Sequence, residues 1–206
     1  MVLDSHRDKA EWFLAPLATR MKHISPNTLT WIAFLCAVFA GVNFWIGGFW
    51  GLLFAFVFIA LNALFDALDG KIAKMTGKAS KRGDFLDHVL DRYADIFIVG
   101  GIILSGIHNS VIALFALIGI LMTSYLGTQA QAVGAGRDYG GIMGRADRLV
   151  ILMLFTLIQM IASQTDFWRV GADGFYLTFI DVAMVIIAVG GNITAIQRAV
   201  RAWKKI

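Results

Sequence analysis

From Ile24 to Phe65 the chain carries no Asp, Glu, Lys, Arg or His. An uncharged apolar run of that length suits hydrocarbon, which needs about 20 apolar residues per helical crossing. Gly47-Gly48 breaks it in the middle. It therefore reads as two crossings, about 28–47 and from about 51 to Phe65, with Phe49-Trp50 at the water interface between them. Composition agrees: 58% of the 206 residues are hydrophobic and 16% charged, where a soluble domain is about a quarter charged. The mean hydropathy is +0.72.

Four more apolar stretches follow, at about 84–106, 110–133, 145–162 and 174–197. The predicted fold is an all-α polytopic membrane protein with six transmembrane helices and an amphipathic surface helix ahead of them. Residues 1–24 form that juxtamembrane segment, 25–198 the six-helix domain and 199–206 a basic tail. In the first segment Phe13, Leu14, Leu17 and Met21 fall on roughly one helical face, between Arg7 and Lys9 on one side and Arg20 and Lys22 on the other. Pro16 should kink or interrupt that helix. The segment has charges of both signs and no long apolar core, so it does not read as a signal peptide. Ser25-Pro26 reads as the start of the first crossing helix. Residues 71–82 read as a basic loop, 134–144 as a Gly-rich loop and 163–173 as a polar loop. The lone Cys36 reads as a packing residue and excludes an internal disulfide.

Six crossings put both termini and the 71–82 and 134–144 loops on one side. Of the 18 Lys and Arg residues, all but Arg169 lie on or near that side. The positive-inside rule makes it cytoplasmic, which predicts a multi-pass protein of the cytoplasmic membrane. The modest net charge of +4 gives no reason to expect a nucleic-acid partner.

Four acids interrupt this pattern. Asp66 and Asp69 are three apart and Asp87 and Asp91 four apart, so each pair shares a helical face. A hairpin of the two helices would bring the pairs together, where their repulsion calls for a cation. All-oxygen ligands favour a hard divalent metal, Mg²⁺ or Mn²⁺, one ion or two. Asp95 lies one turn beyond Asp91, deeper in the membrane. It is read chiefly as structural, a partner for Arg148 or Arg92. His88 reads as packing or interfacial.

The stretch from Asp66 to Asp91 resembles the signature of the CDP-alcohol phosphotransferases, Asp-x-x-Asp-Gly-x-x-Ala-Arg-x8-Gly-x-x-x-Asp-x-x-x-Asp. Seven of its eight fixed positions match, and Lys74 stands where Arg is usual. Lys keeps the charge and loses the planar fork. The resemblance implies an integral-membrane phospholipid synthase with two divalent ions held by Asp66, Asp69, Asp87 and Asp91. Asp91 would also take the proton of the incoming hydroxyl. A CDP-linked lipid would be the donor, contacted by Asn27, Thr28, Thr30, Asp69, Gly70, Ala73, Lys74, Ser80 and Gly83. CMP would leave, and the protein would be a homodimer. By their residue types alone, Thr28 and Thr30 read equally well as helix caps.

The acceptor is read from the other loop. Arg137, Arg145 and Arg148 lie at the mouth of the bundle, and two of them open a helix where cations are unfavourable for the dipole. That placement points to an anionic partner, and Arg suits phosphate. Gly144-Arg-Ala-Asp-Arg is similar to a segment of phosphatidylinositol phosphate synthases, which implies an inositol phosphate acceptor. Glycerol phosphate and serine are the alternatives within the same chemistry. The neutral stretch Gly127-Thr-Gln-Ala-Gln-Ala132 looks more like archaeal members, which use isoprenoid ether lipids, so an archaetidyl group is expected as well as a phosphatidyl one. A cation-coupled transporter is the more distant alternative. It is disfavoured because the acids sit at helix ends and not at the midplane.

Overall fold

The computed structural model describes residues 7–165, 167, 169–172 and 175–206. Among them are seven helices: α1 (Arg7–Met21), α2 (Pro26–Ile46), α3 (Gly48–Met75), α4 (Lys81–Leu104), α5 (Ser110–Ala132), α6 (Arg145–Ala162) and α7 (Phe179–Trp203). A two-stranded antiparallel ribbon, β1 (Arg169–Ala172) with β2 (Phe175–Thr178), precedes α7.

By length and composition α2, α3, α5 and α7 are able to cross a membrane. The remaining long helices, α4 and α6, carry several of the site's charges in addition to Asp66 and Asp69 on α3. α4 holds Asp84, Asp87, Asp91, Arg92 and Asp95, and α6 opens with Arg145, Asp147 and Arg148. Apolarity alone therefore does not identify these two as crossings.

α2 packs on α3 and α4, and α5 packs on α7. Small residues permit the closest approaches, as packing in lipid favours. Gly41 of α2 lies against the Phe97 carbonyl, and Gly101 of α4 lies against the Gly41 backbone. A Cβ at either position would collide with backbone. Gly119 and Gly191 meet in the same way between α5 and α7. The main core is assembled from Ala37, Phe44, Ile59, Ile98, Ile102, Ile120, Leu152, Met184 and Ile187 across the bundle. Cys36 is buried and unbonded, as its apolar setting predicts.

The expected boundaries shift in four places. α3 does not stop near Asp69 but continues to Met75, so the basic loop shrinks to residues 76–80. Lys71, Ala73 and Lys74 are good helix formers and outweigh the cost of about 1 kcal/mol for Gly70. The stop comes at Gly77, with φ +66°, and Lys78 N–H donates to the Ala73 carbonyl at 3.0 Å. This is a glycine-terminated helix end. The residues read as a polar loop and the start of the last crossing instead hold β1 and β2. Residues 199–203, assigned to the tail, continue α7. α1 also runs through Pro16 uninterrupted. Its Ala18, with Leu14, Leu17 and Met21, packs against Leu29 of α2 and Leu68 and Ile72 of α3. Tertiary burial offsets the hydrogen bond that proline removes.

Candidate active site

The two acid pairs do meet. Asp66 and Asp69 project from α3 and Asp87 from α4, and one carboxylate oxygen from each lies within 4.8 Å of the others. Asp91 is not in that trio. It belongs with Asp87 and His88 in a second group of the same tightness, so Asp87 is shared between them. His88, read as packing, therefore sits at the site, 3.2 Å from Asp84 through Nε2. α2 packs on both acid-bearing helices, α3 and α4, and is their common neighbour.

The arrangement fits a divalent cation on its own geometry. Asp69 is buried, and its Oδ2 has no hydrogen-bond partner; the same holds for Asp87 Oδ1. Leaving a buried anionic oxygen unpartnered costs several kcal/mol, of order 2–3 or more. A hard cation satisfies such oxygens directly.

Several residues assigned to the nucleotide gather beside the trio. Ser80 caps α4, its hydroxyl accepting from Gly83 N–H at 3.1 Å. Asn27 Oδ1 and Ser80 Oγ flank the position a Cβ on Gly83 would take, at 3.4 and 3.3 Å. Thr30 is buried, donates to the Pro26 carbonyl at 3.1 Å and reaches the Asp69 carboxylate. Thr30 thus does not cap α2, and Ser25, the N-cap residue, makes no side-chain cap bond; Pro26 at the first turn supplies the start. Gly70 is exposed, with open space where a Cβ would stand. Ala73 is half-buried, and Lys74 and Thr28 are exposed.

Next to the carboxylates opens a cavity of about 190 Å³. Five arginines line it, Arg92, Arg137, Arg145, Arg148 and Arg198, with Asp91 and Asp138 as the lining acids. α5 supplies a neutral wall of Thr123, Ser124, Gly127 and Thr128.

The arginines differ in what holds them. Arg148 is buried and lies 3.5 Å from Asp95, which also accepts Arg92 at 3.4 Å. Asp95 thus partners both arginines considered for it. Arg137 reaches Asp84 at 3.4 Å and stands over the Tyr139 ring at 5.0 Å. Arg145 does not simply face the cavity: its Nη1 lies 2.6 Å from Asp66 and 2.8 Å from Asp91.

Arg198 was missed by sequence reasoning, which assigned it only to the positive-inside count. It donates to the carbonyls of Gly140 at 2.9 Å and Thr123 at 2.7 Å. These partners are neutral, so its charge is less compensated than its neighbours'. Arg201, one turn further, donates to Asp138 at 2.8 Å. Burial would push the Asp138 carboxyl up, but the bonds from Arg201 and from Gly140 N–H hold it below the usual carboxylate range. Together the two arginines strap the 134–144 loop to α7. The available signal was their three-residue spacing at the end of an apolar helix, which places both on one face.

Known proteins share this pattern over most of the chain. The family model for CDP-alcohol phosphatidyltransferase matches residues 23–196. An archaetidylinositol phosphate synthase of Pyrococcus horikoshii is 32% identical, covering 89% of this chain and 86% of its own. A phosphatidylinositol phosphate synthase of Cutibacterium acnes is 33% identical, covering 86% and 85%. The phosphatidylinositol phosphate synthase of Mycobacterium tuberculosis, in a crystal structure with manganese and citrate, has the same fold. Its TM-score is 0.74 at 24% identity, over 92% of this chain and 88% of that one. With the acid signature, the cavity beside it and these matches in agreement, the chain belongs to the CDP-alcohol phosphatidyltransferase family.

Proposed function

We propose that the protein transfers a lipid phosphoryl group, archaetidyl or phosphatidyl, from a CDP-linked lipid to an inositol phosphate, releasing CMP. The observation that carries this reading is the junction of two unlike sites. A carboxylate cluster with unpartnered oxygens adjoins a cavity lined by five arginines. The first suits a metal-bound diphosphate and the second a phosphorylated alcohol. Relatives bearing both the archaetidyl and the phosphatidyl names support it. So does the mycobacterial enzyme, whose structure has also been solved with a CDP-diacylglycerol bound.

Asp66, Asp69, Asp87 and Asp91 would hold two ions, Mg²⁺ or Mn²⁺. When bound, the ions offset the diphosphate's charge and the charge that develops in the transition state. Asn27, Thr28, Thr30, Gly70, Ala73, Lys74, Ser80 and Gly83 form the nucleotide side, with Gly70 and Gly83 keeping that wall free of side chains. Asp91, the acid that both belongs to the cluster and faces the cavity, accepts the proton of the acceptor hydroxyl. The new O–P bond forms at the lipid-side phosphorus, the P–O bond to CMP breaks, and CMP carries away the electron pair. Arg137, Arg148 and Arg198 receive the acceptor's phosphate.

In the bilayer, α2 to α7 form six crossings and α1 lies along the surface, with exposed Trp12 and Phe13 toward lipid. The site opens to the cytoplasm, and the protein works as a homodimer.

A detergent assay with CDP-archaeol or CDP-diacylglycerol and a panel of inositol phosphate, inositol, glycerol phosphate and serine tests this reading. CMP release is expected with inositol phosphate. Arg148→Ala and Arg198→Ala should raise KM for it about tenfold or more, since each removes a charge-assisted contact. CMP release with glycerol phosphate or serine alone would refute the acceptor, and none with any acceptor would refute the reaction.

A further inference from the structure

Asp66 and Asp91 come from different helices, and one side chain from a third helix already joins them. Arg145 Nη1 lies 2.6 Å from Asp66 Oδ1 and 2.8 Å from Asp91 Oδ1. These are short charge-assisted bonds. Its Nη2 also reaches Asn62 Oδ1 at 3.5 Å. Asn62 is buried one turn before Asp66, and its amide is fixed by donating to the Ala33 carbonyl at 2.9 Å. The opposite edge of the guanidinium is unmet: Arg145 Nε is buried without a hydrogen-bond partner. The same residue lines the arginine cavity. Asp66 and Asp91 belong to the two different acid groups that share Asp87, and a guanidinium at this distance would strongly repel a divalent ion held by either group.

We propose that Arg145 and a divalent cation are alternative counter-charges for Asp66 and Asp91, so that loading the metal releases the guanidinium into the cavity. There it meets the phosphate of the acceptor. The inference rests on the metal reading of the carboxylates. It makes Arg145 a coupling residue between the two halves of the site. By linkage, an oxyanion in the cavity tightens the metal by the factor that the metal tightens the oxyanion. It also gives an order: an acceptor arriving before the metal finds Arg145 still paired.

The test is equilibrium Mn²⁺ binding to the detergent-solubilised full chain, read from the EPR signal of free Mn²⁺, with no donor or acceptor present. Arg145→Met should bind Mn²⁺ about tenfold tighter than wild type, because the internal competitor is gone. Added inorganic phosphate should tighten Mn²⁺ in wild type and have no such effect in Arg145→Met. Arg145→Lys keeps the charge without the fork. It should bind Mn²⁺ with intermediate strength, and it carries the test if the methionine variant does not fold. Equal or weaker Mn²⁺ affinity in the Arg145 variants overturns the proposal. So does phosphate tightening that survives in Arg145→Met, which would be direct metal–phosphate contact. Asp66→Asn separates the two levels: if it binds Mn²⁺ as wild type does, the metal reading fails and takes the proposal with it. If it loses Mn²⁺ while Arg145→Met equals wild type, only the proposal fails.

Discussion

Asp91 stands where three demands meet: it is within reach of Asp87 and His88, paired with Arg145, and on the cavity wall. Asp91→Asn keeps the shape and removes the proposed base. CMP release should fall by at least about a hundredfold, the usual span of general-base contributions, with the unfolding temperature in detergent little changed. Near-normal turnover would remove Asp91 as base. A second residue matters at the opposite end. His108 Nδ1 lies 2.8 Å from Thr178 Oγ1, and Thr178 donates to Asp181 Oδ2 at 2.8 Å. With its proton given to Asp181, the hydroxyl accepts from His108, so the neutral ring carries its proton on Nδ1. Burial lowers the His108 pKa, and Asp181 opposes this without cancelling it. The folded chain therefore binds this proton less readily than the unfolded one, so His108 destabilises the fold as pH falls below about 6.5. The unfolding temperature should drop between pH 7.5 and 5.5. His108→Gln should flatten that drop, and an unchanged slope would dissociate it from His108.

At the scale of elements, α2 is the common neighbour of α3 and α4, so its contact with α4 should set the site's width. Gly101→Val places a Cβ, with two methyls beyond it, against the Gly41 backbone. Overpacking of this kind costs about 1–3 kcal/mol. The helices must part, so Mn²⁺ affinity should fall together with the unfolding temperature. A normal Mn²⁺ affinity would show that α2 does not set the carboxylate spacing. The acid pairs were legible in the sequence because helical periodicity is local: spacings of three and four can mean only one face. The helix ends were less so. Residues 71–82, rich in lysines, looked like a loop, yet the helix runs on until Gly77, where the backbone turns left-handed. The spacing of Arg198 and Arg201 showed only a shared face, and neither the place of Arg198 on the cavity nor the bond between Arg145 and Asp66 was legible. They depend on where α6 and α7 dock, and docking is settled by small residues such as Gly119 and Gly191 whose partners lie far away in the chain. Likewise Asp95 could be placed near two arginines, but only the packed bundle shows that it serves both.

For the whole molecule, the consequence lies in what happens beneath the cavity. Arg148 lines the cavity and, with Asp95, also borders a smaller void of about 20 Å³ whose other lining residues, among them Ile98, Val99, Ile120, Leu152, Met184 and Ile187, are apolar. That is room for about one water, with Asp95 and Arg148 its only charged lining residues and the rest apolar. A polar cleft cut into a membrane protein is a potential short circuit. Beyond Asp95 and Arg148 the lining is apolar, and that layer should insulate the circuit. Proteoliposomes containing the protein should hold a pH gradient as well as empty vesicles do, with CDP-lipid present or absent. Leakage above the empty-vesicle rate would show that the layer opens. A membrane that hosts such a cleft could then keep its ion gradients undrained.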